Sequence, residues 1–300
     1  MHKGRDFLEN TNIDFSSVIT EIINNLFSTL FSSIDNSTYA ILDDITFIDT
    51  SIISDNIFKN ILGVSTNSGI LIISNVLLFG ILLYYSSSLL TAYFTGSEIQ
   101  SPKDFIFRAI IYGILMNSAY FICEQIININ SLISLAIRNI GEITYQKNVC
   151  FATFVNEMNS FVSISNNNFN LFSIDGLIKG FSSLGLLNLI FSYSLRYILI
   201  KVFVLISPFA FLCLISSKTK WIFISWIKII CSLLFLQSFI SIILLICFSF
   251  TYSNDFISKL FYIGCIYALI KANSIIKEFI GGLSTNTGTP FESFSLLFRR

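Results

Sequence analysis

Charge is scarce in this chain. Charged residues fill 12% of its 300 positions, 18 basic against 18 acidic, where soluble domains carry about 25%. That balance excludes a water-exposed globule of this length, and a net charge of zero offers no surface for a nucleic acid. Histidine occurs once, at His2, which removes the commonest general base and metal ligand. The six cysteines (Cys123, Cys150, Cys213, Cys231, Cys247 and Cys265) form no CxxC and keep no regular spacing. Four of them lie deep in apolar runs, where a thiol behaves as a small hydrophobe, so neither a disulfide framework nor a metal cluster is expected. There is no Walker A sequence, no GxGxxG after a strand, no HExxH and no nucleophile elbow. No enzyme and no cofactor are therefore expected, and anything moved across a membrane here draws its energy from elsewhere. The polar, acidic start also lacks the basic-then-apolar pattern of a cleavable signal peptide.

What fills the chain instead is apolar: 54% hydrophobic residues, 32 of them Phe, with a mean hydropathy of +0.75. Heavy use of Ile, Phe, Asn and Ser fits an A/T-rich genome, such as that of a low-GC bacterium. The fold class expected is all-α, an integral membrane bundle. Hydropathy places five spanning helices at about residues 69–94, 105–127, 181–215, 221–250 and 256–270. Residues 1–66 form an amphipathic segment, with helical stripes over 12–33 (Ile13, Phe15, Val18, Ile19, Ile22 onward) and more loosely over 41–52. The polar faces of these stripes carry no Lys or Arg for anionic lipid, so they lie on the membrane or the bundle, or offer a partner a surface. Residues 128–180 are read as a long outer loop and 281–300 as a tail that begins with a flexible linker.

Charge asymmetry orients the bundle. Residues 1–60 hold nine acidic and three basic side chains, whereas Lys218, Lys220, Lys271, Lys277, Arg299 and Arg300 cluster late. The positive-inside rule puts the Lys218–Lys220 hairpin and the C-terminus in the cytoplasm, and five spans then leave residues 1–66 outside. Trp221 and Trp226 are expected at the inner boundary of the fourth helix, as in an aromatic belt.

Few polar residues fall within the spans, and each has a plain and a sharp reading. The 181–215 run far exceeds a ~30 Å hydrocarbon core, so Pro208 is expected to break it, with a hinge as the alternative. Arg196, near the middle of that run, must snorkel, face water in an assembly, or pair with an acid, for which Glu124 is the nearest by depth. Gln237 reads as an interhelical hydrogen-bond donor before a transport ligand. Ser86-Ser87-Ser88 and Gly176-xxx-Gly180 would permit close helix approach.

Four segments carry a resemblance: residues 12–60; SPKDFIFRAIIYGILMNSAYFICEQIININSLI (101–133); RYILIKVFVLISPFAFLCLISSKTKWIFISWIKIICSLLFLQSFISIIL (196–244); and LFYIGCIYALIKANSIIKEFIGG (260–282). The third has a basic residue, an apolar run, Pro-Phe-Ala, a short polar turn, paired Trp, and Gln in the following helix. In these features the chain resembles the TrbL-like polytopic membrane subunits of conjugation and type IV secretion machines. The resemblance implies a multi-pass cell-membrane component that oligomerises with itself along the translocation path. It further implies contact with other channel subunits and with energising ATPases, and transient contact with DNA or protein cargo. No small-molecule substrate is expected. A permease subunit of a small-molecule transporter is the alternative function, and a membrane anchor for another assembly a third.

Overall fold

A computed structural model describes residues 15–65, 68–96, 101–161, 173–250 and 255–281. Among the described residues the secondary structure is ten α-helices: α1 Phe15–Thr46, α2 Ser51–Ser54, α3 Asn56–Leu62, α4 Ile70–Thr95, α5 Pro102–Asn117, α6 Ala119–Tyr145, α7 Phe151–Phe161, α8 Ile174–Leu212, α9 Lys220–Phe248 and α10 Phe256–Ile280. No strand occurs among the described residues, so the all-α bundle is the fold. Five helices are long and apolar enough to cross a membrane: α4, α6, α8, α9 and α10.

Side-chain bonds set the register of the bundle. α8 and α9 run antiparallel, with Phe203 joined to Trp226 and Arg196 to Leu233. α10 turns back along α9, where Phe250 stacks on Phe261. It runs parallel to α8, tied by Lys259 to Asp175 at 2.6 Å and by the Tyr193 hydroxyl to the Leu269 carbonyl. α6 runs parallel to α9, with Asn130 at Gln237 and Ser134 at Ser241. α4 and α5 are antiparallel, through the reciprocal amides of Asn75 and Asn117 and the Tyr85–Phe105 stack.

Four expectations are corrected by this architecture. The two amphipathic stretches at the N-terminus are not separate helices: α1 runs from Phe15 through the first into the second as far as Thr46, and the rest of the second falls in a short non-helical stretch and α2. The second spanning helix is not 105–127: Ser118 interrupts the chain there, and the long apolar span is α6, which runs eighteen residues beyond Ile127 into the stretch read as an outer loop. α7 occupies more of that stretch. The last span reaches Ile280 and ends on Gly281, whose φ of 78° suits a residue without Cβ.

Pro208 does not break α8, which continues to Leu212 and spans about 58 Å at 1.5 Å per residue. A proline removes its own N–H, so the Val204 carbonyl loses its helical donor. The Ser207 hydroxyl donates to that carbonyl at 2.6 Å, and the indole N–H of Trp226 donates to the neighbouring Phe203 carbonyl at 2.9 Å. Two side-chain donors thus serve the carbonyls around the proline, and the helix carries on. The chain reverses only at 213–219, where Thr219 Oγ1 donates to the Cys213 carbonyl at 2.7 Å.

Buried apolar side chains fall into two clusters. One holds Leu42, Phe151, Phe154, Leu189, Tyr193, Leu244 and Tyr262, toward the α7 end. The other holds Ile48, Ile53, Met116, Cys123, Val204 and Trp226, toward the 213–219 turn. The α1–α3 segment passes from the first to the second. Of the two placements expected for it, on the membrane or on the bundle, it takes the second: Leu42, Ile48, Ile52 and Ile53 are buried in the bundle, while Asp44, Asp49, Ser51 and Ser54 stay exposed.

A buried polar layer as the candidate functional site

Between the two apolar clusters lies a layer of polar side chains from α6, α8 and α9. Helical spacing builds it: Asn130 and Ser134 stand four apart on α6, Gln237 and Ser241 four apart on α9, so each pair shares a face. Ser134 and Ser241 hydroxyls meet at 2.7 Å, and Ser238 donates to Asn130 Oδ1 at 3.2 Å.

Arg196 is the centre of the layer and is fully buried. Its Nε donates to the Leu233 carbonyl at 2.6 Å, Nη1 to the Thr46 carbonyl at 2.9 Å, and Nη2 to Gln237 Oε1 at 3.4 Å. Among the described residues no carboxylate accepts from it, and Glu124, the nearest candidate acid by depth, does not. Thr46 is the last residue of α1, so its carbonyl is one of the orphan acceptors of a helix C-terminus. That end of a helix carries roughly half a negative charge, worth up to ~2 kcal/mol to a partly buried cation. A central arginine costs about 2.5–3.5 kcal/mol on insertion scales, and hydrogen bonds to a charged group return about 1.5–3 kcal/mol each. One bond would leave the guanidinium barely compensated, whereas three bonds with a helix terminus hold it without an acid.

Gln237 Oε1 serves three donors: the Ile48 backbone N–H at 3.2 Å, Asn130 at 3.4 Å and Arg196 at 3.4 Å. One oxygen has two lone pairs, which accounts for the length of all three bonds. The non-helical stretch after α1 is thus gripped on both sides, Thr46 by Arg196 and Ile48 by Gln237. Irregular backbone at membrane depth needs this kind of satisfaction from neighbouring protein. Further along, the Arg138 guanidinium lies 4.1 Å from the Phe47 ring. Asp43 accepts from the backbone N–H groups of Phe151 and Ala152, at 2.8 and 3.1 Å, and so caps α7. Desolvation raises the Asp43 carboxyl above its ordinary range, against the lowering effect of those two N–H groups and of Arg138.

The other residues singled out by sequence lie elsewhere. Lys218, Lys220 and Trp221 are exposed at the 213–219 turn, Trp221 by 65%. Trp226 is buried, at 3% exposure, and its indole N–H donates to the Phe203 carbonyl of α8. Glu124 is half-buried on α6. Ser86 and Ser87 are exposed, with the Ser86 hydroxyl turned onto its own helix at Leu82, so they mediate no helix approach within this chain. The linker expected after Gly281 lies outside the described residues. Sequence reasoning misses Asn130, Ser134, Thr46 and Ile48. The buried positions 119, 123, 127, 130 and 134 form a stripe that reveals α6 when its period is followed, whereas nothing in sequence marks a backbone carbonyl as the partner of Arg196.

Among the described residues no three His, Cys, Asp or Glu side chains gather to hold a metal ion. The layer contains amides, hydroxyls and a guanidinium, which donate, accept and fix helix register. In comparisons with family models, curated proteins and solved structures, nothing matches this chain.

Proposed function

We propose that this protein is a structural channel or scaffold subunit of a conjugative transfer apparatus of the type IV secretion kind, in the cell membrane of a low-GC bacterium. The observation that carries the proposal is the 196–244 segment. Its resemblance to TrbL-like subunits includes Arg196, Pro208, Trp226 and Gln237, and Arg196, Trp226 and Gln237 take part in the contacts that join α8, α9 and the N-terminal segment. Five long apolar helices support the multi-pass part of the reading. The absence of any nucleotide-binding or nucleophile motif from the sequence supports a role in shape and contact rather than catalysis.

On this reading the chain oligomerises, meets other channel subunits and an energising ATPase, and touches DNA or protein cargo only in passing. The Lys218–Lys220 turn faces the cytoplasm and α1 begins outside. Deleting the gene should abolish transfer of its mobile element while leaving solute uptake unchanged. Normal transfer with a lost uptake activity would instead favour a permease subunit.

A further inference from the structure

The outward surface of the N-terminal segment after α1 differs from those of the spanning helices α4 and α8. Between α1 and α3, the exposed positions include Asp44, Asp49, Ser51, Ser54, Asp55 and Asn56. The corresponding surface of α4 presents Val76, Phe79, Leu83 and Leu90, and that of α8 presents Phe191, Ile198 and Ile206. Lipid suits the second kind of surface and not the first.

The depth of this polar strip is fixed from inside the bundle. Thr46 and Ile48 are bonded to Arg196 and Gln237, each well within its helix. The Ile53 carbonyl accepts from the Tyr120 hydroxyl near the start of α6. The inward side chains Ile48, Ile52 and Ile53 pack with Cys123, Val204 and Trp226. The strip therefore begins at the central layer and runs toward the 213–219 turn, at depths where the neighbouring spans are apolar. A cavity of about 330 Å³ opens beside its first turn, lined by Asp44, Phe47, Asp49, Ser51 and Tyr197 among others. A carboxylate in contact with hydrocarbon is costly, and irregular backbone at that depth survives only against protein or water.

We infer that the α1–α3 strip, from Asp44 to Asn56, faces an aqueous path inside the membrane and marks the water-lined side of this subunit. The inference rests on the multi-pass reading of the proposed function, and adds which face meets water. Three carboxylates, with Lys59 as the nearby cation, give that path a surface suited to water and hydrated cations.

The test is cysteine accessibility in the full-length protein, reconstituted in phosphatidylcholine–phosphatidylglycerol vesicles. Asp49→Cys, Ser51→Cys and Ser54→Cys are treated with a charged, membrane-impermeant thiosulfonate. Phe79→Cys and Leu83→Cys on α4 are the lipid-facing controls, and the unsubstituted protein gives the background from native thiols such as the exposed Cys231. The expected result is several-fold faster labelling at 49, 51 and 54 than the background, with both controls protected until an apolar maleimide is used. Protection at all three strip positions, with the controls also protected, overturns the aqueous path while leaving the membrane bundle intact. Protection accompanied by cross-links between copies at these positions overturns it in favour of a subunit interface. Labelling of the α4 controls by the charged reagent would sink the membrane reading and this inference together. Three separate strip positions keep the result readable if one variant misfolds.

Discussion

Arg196 on α8 donates a hydrogen bond to the carbonyl of Thr46, the terminal residue of α1, across 150 positions of sequence. A helix C-terminus thereby does for a buried guanidinium what a carboxylate does in an ion pair. The consequence is structural: the N-terminal segment is part of the bundle interior, and the central layer is incomplete without it.

Removing the guanidinium should therefore loosen the junction of α1, α8 and α9 together. Arg196→Ala is expected to cost about 1–3 kcal/mol, since three charged-group bonds vanish along with the burial penalty. Ser134→Ala should cost less, about 0.6 kcal/mol, the typical worth of an interhelical hydrogen bond in a membrane bundle. Thermal unfolding of the detergent-solubilised protein measures both. Equal effects would mean that Arg196 is no more than one contact among many.

The proline of α8 offers a sharper test through coupling. With Pro208 present, Ser207→Ala strips the Val204 carbonyl of its donor and should cost about 1 kcal/mol. In a Pro208→Ala background the backbone N–H returns, and the same serine substitution should cost much less. A double-mutant cycle reads the difference directly. An additive result would show that the Ser207 hydroxyl does not stand in for the missing donor.

Glycines within the spans divide by their surroundings. A Cβ on Gly185 would lie 2.7 Å from Ile266 Cγ2, and one on Gly141 would meet Val149 Cγ2 and lie 2.8 Å from Leu245 Cδ1 on α9, whereas Gly80 and Gly264 have nothing within 4 Å. Gly185→Ala and Gly141→Ala should destabilise by about 1–3 kcal/mol through overpacking. Gly80→Ala and Gly264→Ala should be neutral or stabilising by up to ~1 kcal/mol, because alanine favours a helix. Melting temperatures of the four variants decide it, and a uniform response would contradict the α8–α10 and α6–α9 packing.

Orientation is testable at the 213–219 turn. Thr219→Cys should react with an impermeant maleimide only after the cytoplasmic side is opened, as the Lys218 and Lys220 charges require. Labelling on intact cells would reverse the topology.

The spans are legible in the sequence because a soluble fold seldom needs an apolar run long enough to cross a bilayer. α4, α8 and α9 accordingly lie close to their expected limits. α6 is not legible in the same way, because Asn128, Asn130, Arg138 and Glu142 give its second half the look of a loop. Two of those side chains turn inward to partners: Asn130 to Gln237 and Arg138 to Phe47. Polarity in a sequence does not say whether a side chain faces water or another helix. Gln237 bonds between helices, but as the acceptor through Oε1 where a donor was expected. Arg196 plainly needs a partner, yet sequence directs the search to a side-chain acid. Backbone acceptors from a distant helix end leave no mark in composition or spacing. Pro208 misleads for a related reason, since the remedy for its missing N–H comes from the hydroxyl of Ser207 beside it.

The most direct measurement of where the N-terminal segment lies is photo-crosslinking from position 47. Phe47 replaced by benzoylphenylalanine keeps an aromatic ring where Arg138 lies 4.1 Å away and Phe151 6.2 Å away. Irradiation in native membranes, followed by peptide mapping, should give adducts within the same chain on α6 near Arg138 or on α7 near Phe151. Adducts confined to lipid, or the absence of any link to α6 and α7, would show that the segment lies outside the bundle.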